Sequence, residues 1–291
     1  MRKLIFRILL GLVAAVLLIC AAVLLQVEWT YQTNKPATPP TNYEVSGAAG
    51  APVLILLHGA GLNRHMWDAV AKHVSPDYRV MAIDLPGHGT RRGEVFTLEA
   101  TRATIAAAAH SVSPAPVILV GDSLGGYSAL AAADAVPAQQ LRGLMVGGSS
   151  ANFEWTNWFG YAGQVLMLRG LLLRHDEQDL FKKALTRFGT DEATSQAMAA
   201  AGGSLKAYPY ALRSLMLEDF IPRLAAVRVP VLIVNGDKDT RSVQGEDSYA
   251  AALKNVQRYH FKDTEHGVSL RRPAEFAEQL NRFAATAFAK P

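Results

Sequence analysis

The chain contains one cysteine, Cys20, so no disulfide can form within it and its folded part has no thiol chemistry. Charge is also sparse: 19% of the 291 residues are Asp, Glu, Lys or Arg, against 50% that are hydrophobic. That balance excludes an extended disordered chain, which needs the opposite proportions. No basic stripe with interleaved aromatics and no zinc-finger spacing is present, which argues against nucleic acid as a partner. The formal net charge of +4 does not alter this, because Arg2, Lys3 and Arg7 contribute to it from an N-terminal apolar segment. The short clusters "GTRR" (89–92) and "LRR" (270–272) read as solvated loop charge. No repeat period and no low-complexity tract appears, which excludes a solenoid.

Long unbroken apolar runs are missing too, with one exception, Ile8 to Leu25. It follows Arg2, Lys3 and Arg7, and ends at Gln26 and Glu28. At about 1.5 Å of rise per residue, and with Leu4 to Phe6 and Val27 added, the run matches the thickness of bilayer hydrocarbon. It is long for a cleaved signal peptide, no small-x-small site follows it, and Ile19 before Cys20 does not fit a lipoprotein signal. Residues 1–28 are therefore expected to be an uncleaved signal anchor. Its positive flank would stay cytoplasmic and send the rest outward, to a periplasmic or extracellular location. Cleavage would instead give a soluble secreted protein. Residues 29–51 are rich in Pro, Thr, Asn and Gly and read as a tether, with a short edge strand around Tyr43 to Ser46. Trp29 and Tyr31 fall where interfacial aromatics belong.

From Pro52 onward, short β-branched runs alternate with amphipathic stretches. Strands are expected at 53–58, 78–84, 117–122, 141–148, 229–237 and 256–261, and helices at 66–73, 98–112, 124–135, 245–253 and 273–288. The first, third and fifth strands are apolar almost throughout, as strands covered on both faces are. The fold class is α/β: a mostly parallel, doubly wound sheet whose ligands bind at the carboxyl ends of its strands.

"VILVGDSLGGYSALAAA" (117–133) puts a serine at the end of such a strand and the start of a helix. Gly121, Ser123 and Gly125 form G-x-S-x-G, whose small neighbours allow a strained turn that exposes the serine hydroxyl. A serine that merely caps the helix is the plain alternative. A hydroxyl nucleophile needs a base, and the base needs an orienting group. His65, His73, His110, His175 and His260 lie on helix-like or strand-like segments, while His58 and His88 belong to the loops "HGAG" and "DLPGHG", where they are expected to hydrogen-bond their own loops. His266, in "KDTEHGVSL" between the last strand and the last helix, reaches the same sheet edge as Ser123. "NGDKDT" supplies Asp237 and Asp239; Asp239, further into the loop, is the better orienting acid, and Asp237 stabilises the turn.

Together "HGAG", "DLPGHG", "GDSLGG", "NGDKD" and "EHG" resemble the α/β-hydrolase superfamily, from Pro52 to the C-terminus. The resemblance is to its small members with a helical lid, among them esterases, lactonases, C–C bond hydrolases and cofactor-free haloperoxidases. The chain order Ser, Asp, His is that superfamily's rule. The resemblance implies Ser123 as nucleophile, His266 as general base and acid, Asp239 as orienting carboxylate, and the amides of Ala60 and Leu124 as an oxyanion hole. It implies no metal or organic cofactor. It also implies a helical cap over 152–216, containing Trp155, Trp158, Phe159, Tyr161 and Met167, inserted between core segments 52–151 and 217–291. Two positions depart from the pattern: Asp122 stands where many relatives have histidine, and "GHGTRR" replaces Gly-x-Gly-x-Ser. A serine at 123 argues against epoxide hydrolase and haloalkane dehalogenase, whose nucleophile is aspartate. The implied activity is cleavage of a small-molecule carboxylic ester, thioester or lactone through an acyl-enzyme. A C–C bond or a peptide bond as the target, or a non-catalytic binding protein that keeps the fold, are the alternatives.

Overall fold

The computed structural model describes residues 2–152 and 158–289; Trp155 lies outside the described residues. Six strands form one sheet: β1 (Val53–Leu57), β2 (Arg79–Ile83), β3 (Val117–Asp122), β4 (Leu141–Gly147), β5 (Val231–Gly236) and β6 (Val256–Phe261). Their order is β2-β1-β3-β4-β5-β6, and every neighbouring pair is parallel. A parallel pair requires a crossover, and helices supply it. In chain order the helices are α1 (Arg2–Thr33), which precedes the sheet, α2 (Asp68–Ala71), α3 (Leu98–Ser111), α4 (Leu124–Ala132), α5 (Trp158–Arg174) and α6 (Glu177–Leu185). They are followed by α7 (Glu192–Ala201), α8 (Tyr208–Met216), α9 (Ile221–Ala226), α10 (Thr240–Ala252), α11 (Val268–Arg271) and α12 (Pro273–Phe288).

The near-continuous apolar strands are explained by burial on both faces. Val53, Ile55 and Leu57 of β1, with Val117 and Leu119 of β3, pack on one side against Ile105 of α3 and Leu130 of α4. Leu54, Leu56, Ile118 and Val120 point the other way, toward Trp67 and, from α12, Phe276 and Leu280. Each such side chain removed from water contributes about 1.5–3 kcal/mol, so neither face tolerates a polar residue without a partner. Because all six strands run the same way, their carboxyl ends share one edge of the sheet, and the loops there meet.

Several local expectations are corrected. Tyr43 to Ser46 form no strand: a single antiparallel bridge joins Ser46 to Val80. The stretch 66–73 is a short 3-10 helix, Arg64–Trp67, running into the four-residue α2. Asn63 caps it through the His65 amide, which starts the turn earlier than the apolar pattern suggests. The first helix continues past residue 28 to Thr33. In "GTRR", Arg91 is buried, not solvated: it holds Glu94 through two bonds of 2.8 and 2.7 Å and donates to Thr104.

The last turns of α1 rest on the helices between β4 and β5. Val27 is fully buried against Tyr161 and Val165 of α5 and Leu212 and Met216 of α8. Arg213 of α8 grips Glu28 in a two-point contact, Nε to Oε2 at 2.6 Å and the second nitrogen to Oε1 at 2.8 Å. Tyr31 and Ser214 hydroxyls are hydrogen-bonded at 3.0 Å.

At the carboxyl edge, Asn235 ties three elements together. Its Oδ1 accepts from the Gly148 amide after β4 (3.0 Å), and its Nδ2 donates to Ser150 Oγ (2.8 Å) and to Glu246 Oε2 on α10 (2.7 Å). All of this is buried, so Asn235→Leu removes three buried hydrogen bonds at once and leaves the Gly148 amide with only its 3.3 Å bond to the Val234 carbonyl and Glu246 Oε2 with only its 2.9 Å contact to His260. The expected cost is about 2–4 kcal/mol, read as a thermal midpoint lower by roughly 4–12 °C in calorimetry.

Candidate active site

The site begins with a close approach of helix to strand. A Cβ on Gly121 would lie 2.2 Å from the Gly125 carbonyl carbon, and one on Gly125 would lie 1.8 Å from the Leu57 carbonyl oxygen. Only glycine fits at either position. Between them Ser123 takes φ 57°, ψ −121°, a conformation that an L-residue adopts only when its surroundings enforce it. Its amide is fixed to the Gly147 carbonyl at 2.7 Å. The hydroxyl is thereby presented above the sheet edge and does not cap α4.

The structure brings the three expected side chains together. His266 Nε2 lies 2.9 Å from Ser123 Oγ, and its Nδ1 lies 2.7 Å from Asp239 Oδ2. Asp239 is buried at the N-cap of α10, where its other oxygen accepts from the Ser242 amide, so the carboxylate is fixed before it meets the imidazole. Asp237 accepts from the Asp263 and Thr264 amides at 3.0 and 3.1 Å, which pins the loop that carries His266. That is the turn-stabilising task expected of it.

Two carboxylates set the charge at His266. Burial pulls the imidazole pKa down, but the Asp239 hydrogen bond and the charges of Asp122 and Asp239 outweigh it, and the pKa ends above its ordinary 6.5. The side chain is 48% exposed toward the pocket, so water limits the burial effect. At Asp239, burial works against ionisation, yet the hydrogen bond and charge of His266, aided by Ser242, hold the carboxyl below its usual range.

Asp122 is a departure from the resemblance whose role the sequence did not reveal. It is fully buried, and its Oδ2 accepts from the Ser269 amide (3.0 Å) and hydroxyl (2.5 Å), tying α11 and the His266 loop to the end of β3. Among the described residues its Oδ1 has no hydrogen-bond partner. A Cβ on Gly148 would meet both this oxygen (3.3 Å) and His266 Cε1 (2.7 Å), which places the second carboxylate beside the ring. A charged residue in an otherwise buried run, "VGDSLGG", was the available signal.

Ala60 and Leu124 line the same pocket as Ser123 and His266. Leu124 is the first residue of α4, where an amide has no intrahelical acceptor. The amides on either side of Ala60 are engaged, Gly59 by Met66 Sδ and Gly61 by His88 Nε2. His88 and His58 do more than bond their own loops. Each donates Nδ1–H locally, to Pro86 and Gly59 carbonyls, and each uses Nε2 to accept an amide from the opposite loop, Gly61 and Leu85 respectively. These roles need neutral rings. Burial, with the neighbouring His58, pushes His88 down to about 3, and burial lowers His58 as well.

The pocket has a volume of about 220 Å³ and is walled by Leu62, Met66, Phe188, Tyr208, Leu212 and Leu215, with no Lys or Arg among its described lining residues. Among the described residues, no group of three or more His, Cys, Asp or Glu could hold a metal ion. Chemically, the arrangement offers a hydroxyl with a base in contact, beside an apolar space that Ala60 and Leu124 also line.

Residues 54–279 match the alpha/beta hydrolase family, and the chain belongs to that family. Among curated relatives, it is 32% identical over 203 residues to a pimeloyl-[acyl-carrier protein] methyl ester esterase of Edwardsiella ictaluri, covering 66% of this chain and 76% of the other. It is 30% identical to the enzyme of the same name in Xanthomonas campestris pv. campestris, over 80% of this chain and 95% of that one. Among solved structures, a carboxylesterase of the thaumarchaeon Nitrososphaera gargenis superposes with a TM-score of 0.72 at 17% identity, covering 89% and 99% of the two chains, and so shares the fold.

The charge balance at His266 is directly measurable. Nuclear magnetic resonance titration of the imidazole is expected to give a midpoint above 6.5, and Asp122→Asn, which removes a charge favouring the imidazolium, is expected to move it to lower pH. An unchanged midpoint in the variant would contradict this.

Proposed function

We propose that the chain is a membrane-anchored serine hydrolase that cleaves an uncharged carboxylic ester, thioester or lactone through an acyl-enzyme at Ser123. The observation that carries the reading is the contact of His266 with Ser123 Oγ at 2.9 Å on one ring nitrogen and with Asp239 at 2.7 Å on the other. In this mechanism Ser123 Oγ attacks the carbonyl carbon while His266 Nε2 takes its proton. The oxyanion turns toward the Leu124 and Ala60 amides, where fixed donors stabilise developing charge. His266 returns the proton to the leaving oxygen or sulfur, and the acyl group remains on Ser123. Water, deprotonated by the same nitrogen, then releases the acid. Asp239 holds the ring in the required tautomer and stabilises the imidazolium.

The names of the two curated relatives, both esterases, support an ester as the bond. An apolar wall without Lys or Arg favours an uncharged group next to it. Residues 152–216 serve as the cap: Phe188 and, from α8, Tyr208, Leu212 and Leu215 lie over the serine and exclude water from the reaction. At about 220 Å³ the pocket is small beside common ligand cavities, so it receives a short acyl group and leaves the rest of the substrate outside. Anchoring rests on Ile5–Thr33, a helix long and apolar enough to cross a membrane, with the catalytic domain extracytoplasmic.

Steady-state hydrolysis of p-nitrophenyl esters checks the reading. Butyrate is expected to be cleaved faster than laurate, and Ser123→Ala to lose at least about 10³-fold in kcat with its fold intact by circular dichroism. Full activity in Ser123→Ala would overturn it.

A further inference from the structure

The first helix and the active-site pocket share a wall. Val27 of α1 packs on Leu212, and Leu212 also lines the pocket that holds Ser123. Val23 and Leu24, which belong to the apolar run, pack against the same cluster, where Tyr161 and Val165 are the contributions of α5. Helix α5 therefore lies level with the end of the apolar segment, with no tether between them.

The opposite side of α5 is apolar and exposed. Its sequence, WFGYAGQVLMLRGLLLR, contains no acidic residue and only two cations, Arg169 and Arg174. Met167 is 62% exposed and Leu173 88% exposed, with Leu171 and the glycines Gly163 and Gly170 on or beside the same stripe. Just after α8, Leu217 is 63% exposed as well. A helix with a bare apolar face, no acidic residue and two arginines, Arg174 on that face at its last turn, is built to lie in a membrane interface. Continuity with α1 supplies the occupant: a bilayer that surrounds α1 up to Leu25 reaches the level of α5.

We propose that the exposed face of α5 lies in the bilayer interface beside α1, so that the pocket takes esters dissolved in the membrane in preference to esters in water. The proposal rests on the anchoring and hydrolase readings above. The short acyl group enters the pocket, and the long apolar alcohol remains in the lipid. The Glu28–Arg213 contact fixes the orientation, because Arg213 sits on the helix that supplies the pocket wall.

The test uses the full chain, with Cys20→Ser, in vesicles of phosphatidylcholine and phosphatidylglycerol whose chains carry bromine. A bimane label is attached after Leu173→Cys, or, as a control at the amino end of the sheet, after Lys254→Cys. Flotation with the vesicles and bromine quenching at least twofold stronger at 173 than at 254 are expected. Failure to float would overturn the anchoring reading and this inference with it. Flotation without quenching at 173, whether a second copy or water covers the face, would overturn the inference alone.

A kinetic arm compares hexadecyl butyrate in the vesicles with p-nitrophenyl butyrate in water. The double variant Met167→Glu, Leu173→Glu is expected to lose at least tenfold on the first and nothing on the second. Equal loss on both would overturn membrane delivery of the substrate. No turnover of either ester by the wild-type chain would overturn the hydrolase reading, while the quenching still decides where α5 lies.

Discussion

The contact between α4 and the strands beneath it is the constraint on which the site depends. Helix and sheet meet so closely at Gly121 and Gly125 that no Cβ fits, and the serine between them has no relaxed conformation available. The cost of that strain, on the order of 1–3 kcal/mol, is offset by the apolar side chains that α4 and β3 bury. The same strain directs the hydroxyl away from the helix axis, toward the space above the sheet edge. A relaxed serine there would satisfy its own helix and meet no partner.

Everything opposite Ser123 is held by carboxylates acting on loops. Asp239 fixes the imidazole, Asp237 fixes the backbone of its loop, and Asp122 fixes the start of α11 just beyond it. Two of the three also favour the imidazolium electrostatically, against the effect of burial. Around the Gly59–Gly61 loop, neutral histidines take the place of carboxylates. His58 and His88 must accept backbone amides, which imidazolium cannot do, and their burial keeps them in the required state. One fold thus holds histidines of opposite tendency within the same loop cluster.

The sheet and the three side chains were legible because their signals are local. Apolar runs such as "VLILL" admit little but buried strands, Ser123 and Asp239 each follow one, and His266 follows the half-exposed edge strand "VQRYHF". Residues that act at long range were not legible. The cross-loop bonds of His58 and His88 depend on a separation of 27 residues that no local pattern encodes. Tyr43 to Ser46 has strand-like residues, but a strand needs a partner along its length, and Val80 offers only one bridge. The burial of Arg91 was hidden because its partner Thr104 lies on another element. The docking of Val27, Glu28 and Tyr31 on α5 and α8 was likewise invisible, since it joins residues on the order of 150 apart along the chain.

The central claim is that Ser123 is a nucleophile activated by His266. Intact-mass and peptide mass spectrometry of the full chain after exposure to a fluorophosphonate tests it most directly, because the reagent needs an activated hydroxyl and no knowledge of the substrate. The expected result is one phosphonyl adduct, on Ser123, formed far more slowly in His266→Ala. An adduct on another residue, or an unmodified folded chain, would contradict it.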